Sequence, residues 1–288
     1  MVDFGSLITA MVTPFDDKGN IDWNQTALLI DELIENQQTD SLVICGTTGE
    51  SPTLDDTEKL AMFKFAVEHA AGRCKIIAGT GSNNTAHSIH LTKEAELCGV
   101  DAVLLVTPYY NKPNQEGLFR HFEAIASATK LPVMLYNVPS RTVVGLSAAT
   151  TLRLAQIPNV VATKECGPLD QLAGIVSGAP NDFIVYTGDD SSALPALAVG
   201  ARGIVSVASH IVGKSMKQMI SSYLQGNVQE AGKLYRELLP LFKVLFECPN
   251  PVGVKYALGE KGLNVGSVRL PLVPPSEDEA MHIRNLLQ

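Results

Sequence analysis

The chain has little of what would tie it to a membrane, a metal or a nucleic acid. None of its 288 residues belongs to an uninterrupted apolar run of the roughly 18 residues that a membrane span needs. The opening Met1-Val2-Asp3-Phe4-Gly5 carries neither a basic region nor a long apolar run, so no secretory signal is expected. Cysteine is sparse and scattered. Cys45, Cys74, Cys98, Cys166 and Cys248 form no C-x-x-C pair, which argues against a disulfide framework or a zinc site and for reduced thiols in a cytoplasmic protein. Lysine and arginine number 22 against 30 acidic residues, and they cluster nowhere. A net charge of −8 without a basic patch argues against nucleic acid as a partner, and an anionic substrate would need a locally positive pocket. No segment is of low complexity.

What is present is a repeating order. Short apolar runs begin near Leu7, Ser41, Lys75, Ala102, Pro132, Val160, Phe183 and Gly203, with helical stretches between them. Asp22-Trp23-Asn24-Gln25 leads into one helix. Asp55-Asp56-Thr57-Glu58 opens another, which closes on Gly72. Eight strand–helix units predict a (β/α)8 TIM barrel over 1–224; a doubly wound sheet is the alternative, disfavoured because no second fold-like half is visible. Beyond about 225 the strand signal stops, and 228–246, 252–261 and 276–287 read as helices of a carboxyl-terminal domain, 225–288.

In such a barrel the chemistry gathers where the strands end. The run Asn159-Val160-Val161-Ala162-Thr163-Lys164 delivers a lysine there. Desolvation between apolar walls would favour its neutral, nucleophilic amine; otherwise it merely steps into solvent. Gly46-Thr47-Thr48-Gly49-Glu50-Ser51 can turn tightly and aim N–H groups at an anion, or can be an ordinary capped turn. It is neither a nucleotide P-loop nor a serine-nucleophile elbow. Tyr109 and Tyr110, on the proline-braced loop 107–113, are proton carriers or an aromatic anchor. Tyr136 ends the fifth strand facing the mouth, and Arg141 offers a fork for a carboxylate. Asp189 and Asp190 read as helix caps rather than metal ligands, and His87 and His90 as a solvated helix face. Together the tips suit Schiff-base chemistry on a keto acid.

The segments GTTGESPTL (46–54), PYYNKP (108–113), LYNVPSRT (135–142) and GSVRLPL (266–272), with Lys164, resemble the dihydrodipicolinate synthase family, in order along essentially the whole chain. That family lies within the pyruvate-dependent class I aldolases, which include N-acetylneuraminate lyase. The resemblance implies a barrel with a helical carboxyl-terminal domain, no cofactor beyond a covalent lysine–pyruvate Schiff base, and no metal. Lys164 would form the imine. Tyr136 would carry protons in a relay with Thr47 and with Tyr110, the latter entering from the neighbouring subunit of a tight dimer, usually paired into a tetramer. Thr48, the backbone near Val205 and Gly188 would hold pyruvate. Arg141 would grip the carboxylate of L-aspartate 4-semialdehyde, the second substrate on the way to lysine and diaminopimelate; sialic-acid lyases lack an arginine at the matching turn.

Two departures carry consequences. Lysine-inhibited members have histidines and a glutamate where Asp56, Lys59 and His87 stand, so weak or absent feedback by L-lysine is expected. Cys166, in the unusual stretch Glu165-Cys166-Gly167-Pro168, reads as a small packing residue rather than a reactive thiol. A sugar-acid aldolase or a catalytically dead barrel are the rival readings; Arg141 weighs against the first, and the intact Lys164, Tyr136, Thr47 and Tyr110 against the second.

Overall fold

The computed structural model describes residues 3–287. Eight parallel strands pair in chain order: β1 (Leu7–Ala10), β2 (Ser41–Ile44), β3 (Lys75–Gly79), β4 (Ala102–Val106), β5 (Val133–Asn137), β6 (Val160–Glu165), β7 (Ile184–Thr187) and β8 (Gly203–Ser206). β1 also pairs β8, with Leu7 opposite Ile204 and Ile8 opposite Val205, which closes the barrel and rules out the doubly wound sheet. Strands buried on both faces read as unbroken apolar runs, and successive side chains divide between two layers. Ile8, Val43, Ile77, Met134, Ala162 and Val205 point inward and fill the barrel. Leu42, Ile44, Leu105 and Leu135 point outward, into the core beneath the helices.

The helices are α1 (Trp23–Glu35), α2 (Asp56–Ala70), α3 (Thr85–Leu97), α4 (Gln115–Ala126), the single turn α5 (Pro139–Thr142), α6 (Ala148–Leu154), α7 (Leu169–Gly178), α8 (Ala193–Ala198) and α9 (Ser209–Leu224). Asp22 caps α1 through the Gln25 N–H, and Asp55 with Glu58 forms a reciprocal capping box on α2. At the other end of α2 the chain turns left-handed one residue before Gly72, at Ala71 (φ 48°), and Gly72 continues the turn (φ 78°). Three helices follow: α10 (Val228–Val244), α11 (Val252–Glu260) and α12 (Glu277–Leu287). Leu241, Phe242 and Ala257 from these pack with Leu7, Ile204 and Met216, so the last helices share one core with β1, β8 and α9. Among the described residues no helix is long and apolar enough to cross a membrane.

Candidate active site

The register of the barrel places Lys164 of β6 opposite Tyr136 of β5 and Tyr186 of β7. Between β5 and β6 the register slips: Val133 pairs Val160 but Met134 pairs Ala162, so Val161 is bulged out. A bulge re-aims the side chains beyond it, and Ala162 turns into the barrel with Lys164 above it. The lysine does not step out into solvent. It is 5% exposed, makes no ion pair among the described residues, and holds its Nζ 4.3 Å from the centre of the Tyr136 ring. Gly188, after β7, packs on its stem. A Cβ there would stand 2.5 Å from Lys164 Cε and 2.3 Å from Cys166 Sγ. Cys166 fills the other side of that contact, and burial pushes its thiol up to about 11, away from the reactive thiolate. Tyr186 donates its hydroxyl to Gly5 O at 2.9 Å, on the far side of the barrel interior from the strand tips.

A cavity of about 460 Å³ opens beside this cluster, lined by Thr47, Tyr109, Tyr136 and Arg141 and extending to Lys59 and His87. Arg141, on α5, is exposed and makes no ion pair among the described residues, so its guanidinium is free to meet a carboxylate. Thr47 lines the cavity, while Thr48 is buried behind it and accepts a hydrogen bond from Asn250 Nδ2 at 2.9 Å. Val205 is buried in the barrel interior. Tyr110 is not brought into the cluster. It is 88% exposed with φ 71°, and Tyr109 takes the place on the cavity wall.

Three expectations need correction. The left-handed turns around 46–51 are made by Cys45 (φ 54°) and Glu50 (φ 56°), not by glycine. Gly46 and Gly49 serve close approach instead, for a Cβ on Gly49 would lie 3.1 Å from Met11 O. Asp189 does cap, accepting from the Ser191 N–H, but Asp190 does not: it is buried and takes the Ser206 hydroxyl at 2.5 Å and the Ala208 N–H at 2.9 Å, tying the tip of β7 to that of β8. His90 lies on a solvated face as expected. His87 is half-buried on the cavity wall, with Nε2 2.8 Å from Asp56 Oδ2. Among the described residues no three His, Cys, Asp or Glu side chains gather as a metal-binding set.

Known proteins share this fold and much of its sequence. The dihydrodipicolinate synthetase family matches residues 3–288. The 4-hydroxy-tetrahydrodipicolinate synthase of Bacillus velezensis is 58% identical over 287 residues, 99% of each chain. The chain belongs to this family. The crystal structure of dihydrodipicolinate synthase DapA-2 from Bacillus anthracis superposes with a TM-score of 0.98 at 51% identity, covering 100% of this chain and 98% of that one. The enzyme of Cyanidioschyzon merolae, solved with lysine bound, is 42% identical with a TM-score of 0.97, over 99% and 97% of the two chains.

A buried carboxylate beside Lys164 has no motif to mark it in the sequence. Glu165 is buried beside Lys164 and points to the other face of β6, where it accepts from Asn137 Nδ2 (2.9 Å), the Gly167 N–H (2.6 Å) and Gln171 Nε2 (3.1 Å). Asn137 in turn accepts from the Leu146 N–H at 2.9 Å, bracketing the loop that carries Arg141. Asn137 stands inside the quoted LYNVPSRT; nothing local marks Glu165 except an acid at the end of an apolar strand.

Proposed function

We propose that Lys164 is the amine through which this chain joins pyruvate to L-aspartate 4-semialdehyde, giving 4-hydroxy-tetrahydrodipicolinate for lysine and diaminopimelate synthesis. The observation that carries the assignment is a buried lysine with no acidic partner among the described residues, seated against a tyrosine ring at the barrel mouth. The unprotonated amine adds to the ketone carbon of pyruvate, and the oxygen leaves as water once protonated. The imine then loses a methyl proton to become an enamine, whose carbon attacks the aldehyde. The amino group of the semialdehyde closes the ring on the imine carbon and frees Lys164. Because the iminium is itself the electron sink, the reaction needs no cofactor.

Tyr136 would pass protons to and from the substrate oxygens, a role supported by its place with Thr47 in the lining of one cavity. Thr48, Gly188 and the backbone at Val205 would seat pyruvate, and Arg141 the carboxylate of the aldehyde. Tyr110 would complete the relay from a second copy, in a tight dimer that pairs again into a tetramer. The division between barrel and helical domain would fall near 225, a reading supported by the break between α9 and α10. The five free thiols support a cytoplasmic setting.

The test is product formation from pyruvate with aspartate semialdehyde, N-acetylmannosamine, glyceraldehyde and glyoxylate, alongside borohydride trapping. Turnover with aspartate semialdehyde alone, lost in Arg141→Ala, and a pyruvate-derived mass on Lys164 are expected. A sugar aldehyde as the preferred acceptor would reassign the substrate, and an unlabelled Lys164 would end the proposal.

A further inference from the structure

We propose that the segment from Asn250 to Arg269 positions the threonines of the β2–α2 loop, with Asn250 and Lys255 as positioning residues for pyruvate capture. The inference rests on the reading that Thr48 holds the pyruvate carboxylate.

Thr48 and Asn250 are both buried, 202 positions apart, and the amide nitrogen donates to the threonine Oγ1 at 2.9 Å. A hydroxyl that receives a hydrogen bond from an amide N–H keeps its own proton for another acceptor. In this site that acceptor would be an incoming carboxylate. Asn250 Oδ1 is buried with no partner among the described residues, so there the amide's hydrogen bond is the one it gives to Thr48.

Two residues further on, Glu50 is held in a left-handed turn (φ 56°), which a non-glycine residue keeps only when its surroundings enforce it. The enforcement comes from the same segment. Lys255 Nζ forms a buried ion pair with Glu50 Oε1 at 2.7 Å, and the Arg269 N–H donates to Oε2 at 2.9 Å. Lys255 is fixed in turn by Ser267 O (2.8 Å) and the face of Phe15 (4.2 Å). Burial pushes its amine down to about 8 against the pull of Glu50. From the other side, the Thr13 hydroxyl donates to Gly49 O at 2.7 Å. The turn that aims Thr47 and Thr48 is therefore clamped on both flanks, and the buried charged clamp belongs to the carboxyl-terminal segment.

The variants Thr48→Val, Asn250→Ala and Asn250→Asp and the double Thr48→Val/Asn250→Ala would be compared by steady-state kinetics with each substrate varied and by thermal melting. Asn250→Ala is expected to raise KM for pyruvate about tenfold, with KM for the aldehyde and the melting temperature little changed. Asn250→Asp preserves shape but can only accept, so it draws the Thr48 proton away from the substrate and is expected to be worse than Asn250→Ala. The double variant should be no worse than Thr48→Val alone, since both changes remove one coupled interaction. Lys255→Met should show the same pyruvate-selective loss, and Lys255→Arg should restore most of it. Multiplying effects in the double variant, or equal losses for both substrates, would overturn the positioning role. If Thr48→Val raises KM for pyruvate but Asn250→Asp does not, that role alone falls. If Thr48→Val leaves KM unchanged, the assignment of Thr48 falls and takes this inference with it.

Discussion

Gly188 serves the amine by what it leaves out. A Cβ at this position would sit 2.3 Å from Cys166 Sγ and 2.5 Å from Lys164 Cε, distances that atoms do not share without moving. The easiest thing to move is the flexible end of the lysine, so the fold can absorb a methyl group by displacing the amine proposed to capture pyruvate. Gly188→Ala is therefore expected to lower kcat by about 100-fold or more, because misplacing a reacting atom by about an ångström is enough for that, while the melting temperature falls only slightly. Adding Cys166→Ala removes the sulfur but not the lysine contact, so the double variant should stay slow. Borohydride trapping with pyruvate checks the cause, and a single variant that labels Lys164 at the parental rate would disprove it. In the sequence the glycine stands out only through the family resemblance, as a residue that would hold pyruvate. Its contact with Cys166 is not legible there, because the two residues meet across neighbouring strands whose register no local pattern records.

At the scale of elements, the strands were legible and the ties between their tips were not. Apolar runs announce buried parallel strands directly, and Asp22, Asp55 and Glu58 mark helix starts through a spacing that one hydrogen bond demands. The bulge at Val161 depends on how β5 and β6 align, and of two adjacent aspartates Asp189 caps the next turn through Ser191 while Asp190 is buried against the tip of β8. The least legible tie is Glu165, which joins the tips of β5 and β6 through Asn137, Gly167 and Gln171. Burial pushes its carboxyl above the usual range, more than its hydrogen bonds pull it down. Below the unfolded-state value both states are protonated and the group is neutral to stability; as pH rises through the raised folded value, folding has to ionise a buried acid, and stability is lost. Glu165→Gln abolishes that titration. The melting temperature of the variant relative to the parent is therefore expected to climb as pH rises from about 4.5 toward neutrality, then level off. A flat difference from pH 4 to 7 would show that Glu165 titrates normally.

For the whole molecule, the sequence pointed to a second copy of the chain and to a modified effector pocket through a resemblance, and the single chain shows why neither could be derived from local pattern. The outer lobe of the cavity holds Lys59, 9% exposed and 3.9 Å from Asp56, whose carboxylate also meets His87. A lysine ligand would bring its ammonium to a site already occupied by one. L-lysine at cellular concentration is expected to change initial rates by less than about twofold, and clear inhibition would place its ammonium elsewhere. The loop 107–113 presents Tyr110 to solvent with left-handed backbone at Tyr110 and Lys112, and Val143 nearby in sequence to Arg141 is likewise exposed with φ 66°. Such backbone costs about 1–3 kcal/mol at each position and persists only where its surroundings enforce it, which a partner surface would do. If Tyr110 acts across that surface, Tyr110→Phe and Lys164→Ala damage different halves of one composite site. Each variant alone should be nearly inactive. In a mixed dimer, the Tyr110→Phe subunit contributes an intact Lys164 and receives an intact Tyr110 from the other. One of the two sites is then whole. Dissociating the two variants together and reassociating them at equal amounts makes half of the dimers mixed, so activity should return to about a quarter of the parental value, as symmetric pairing requires. Recovery that needs dissociation, and fails when the variants are mixed intact, would locate the relay between subunits. No recovery after subunit exchange has been verified by mass would confine Tyr110 to its own chain, where its exposed position leaves it out of the chemistry.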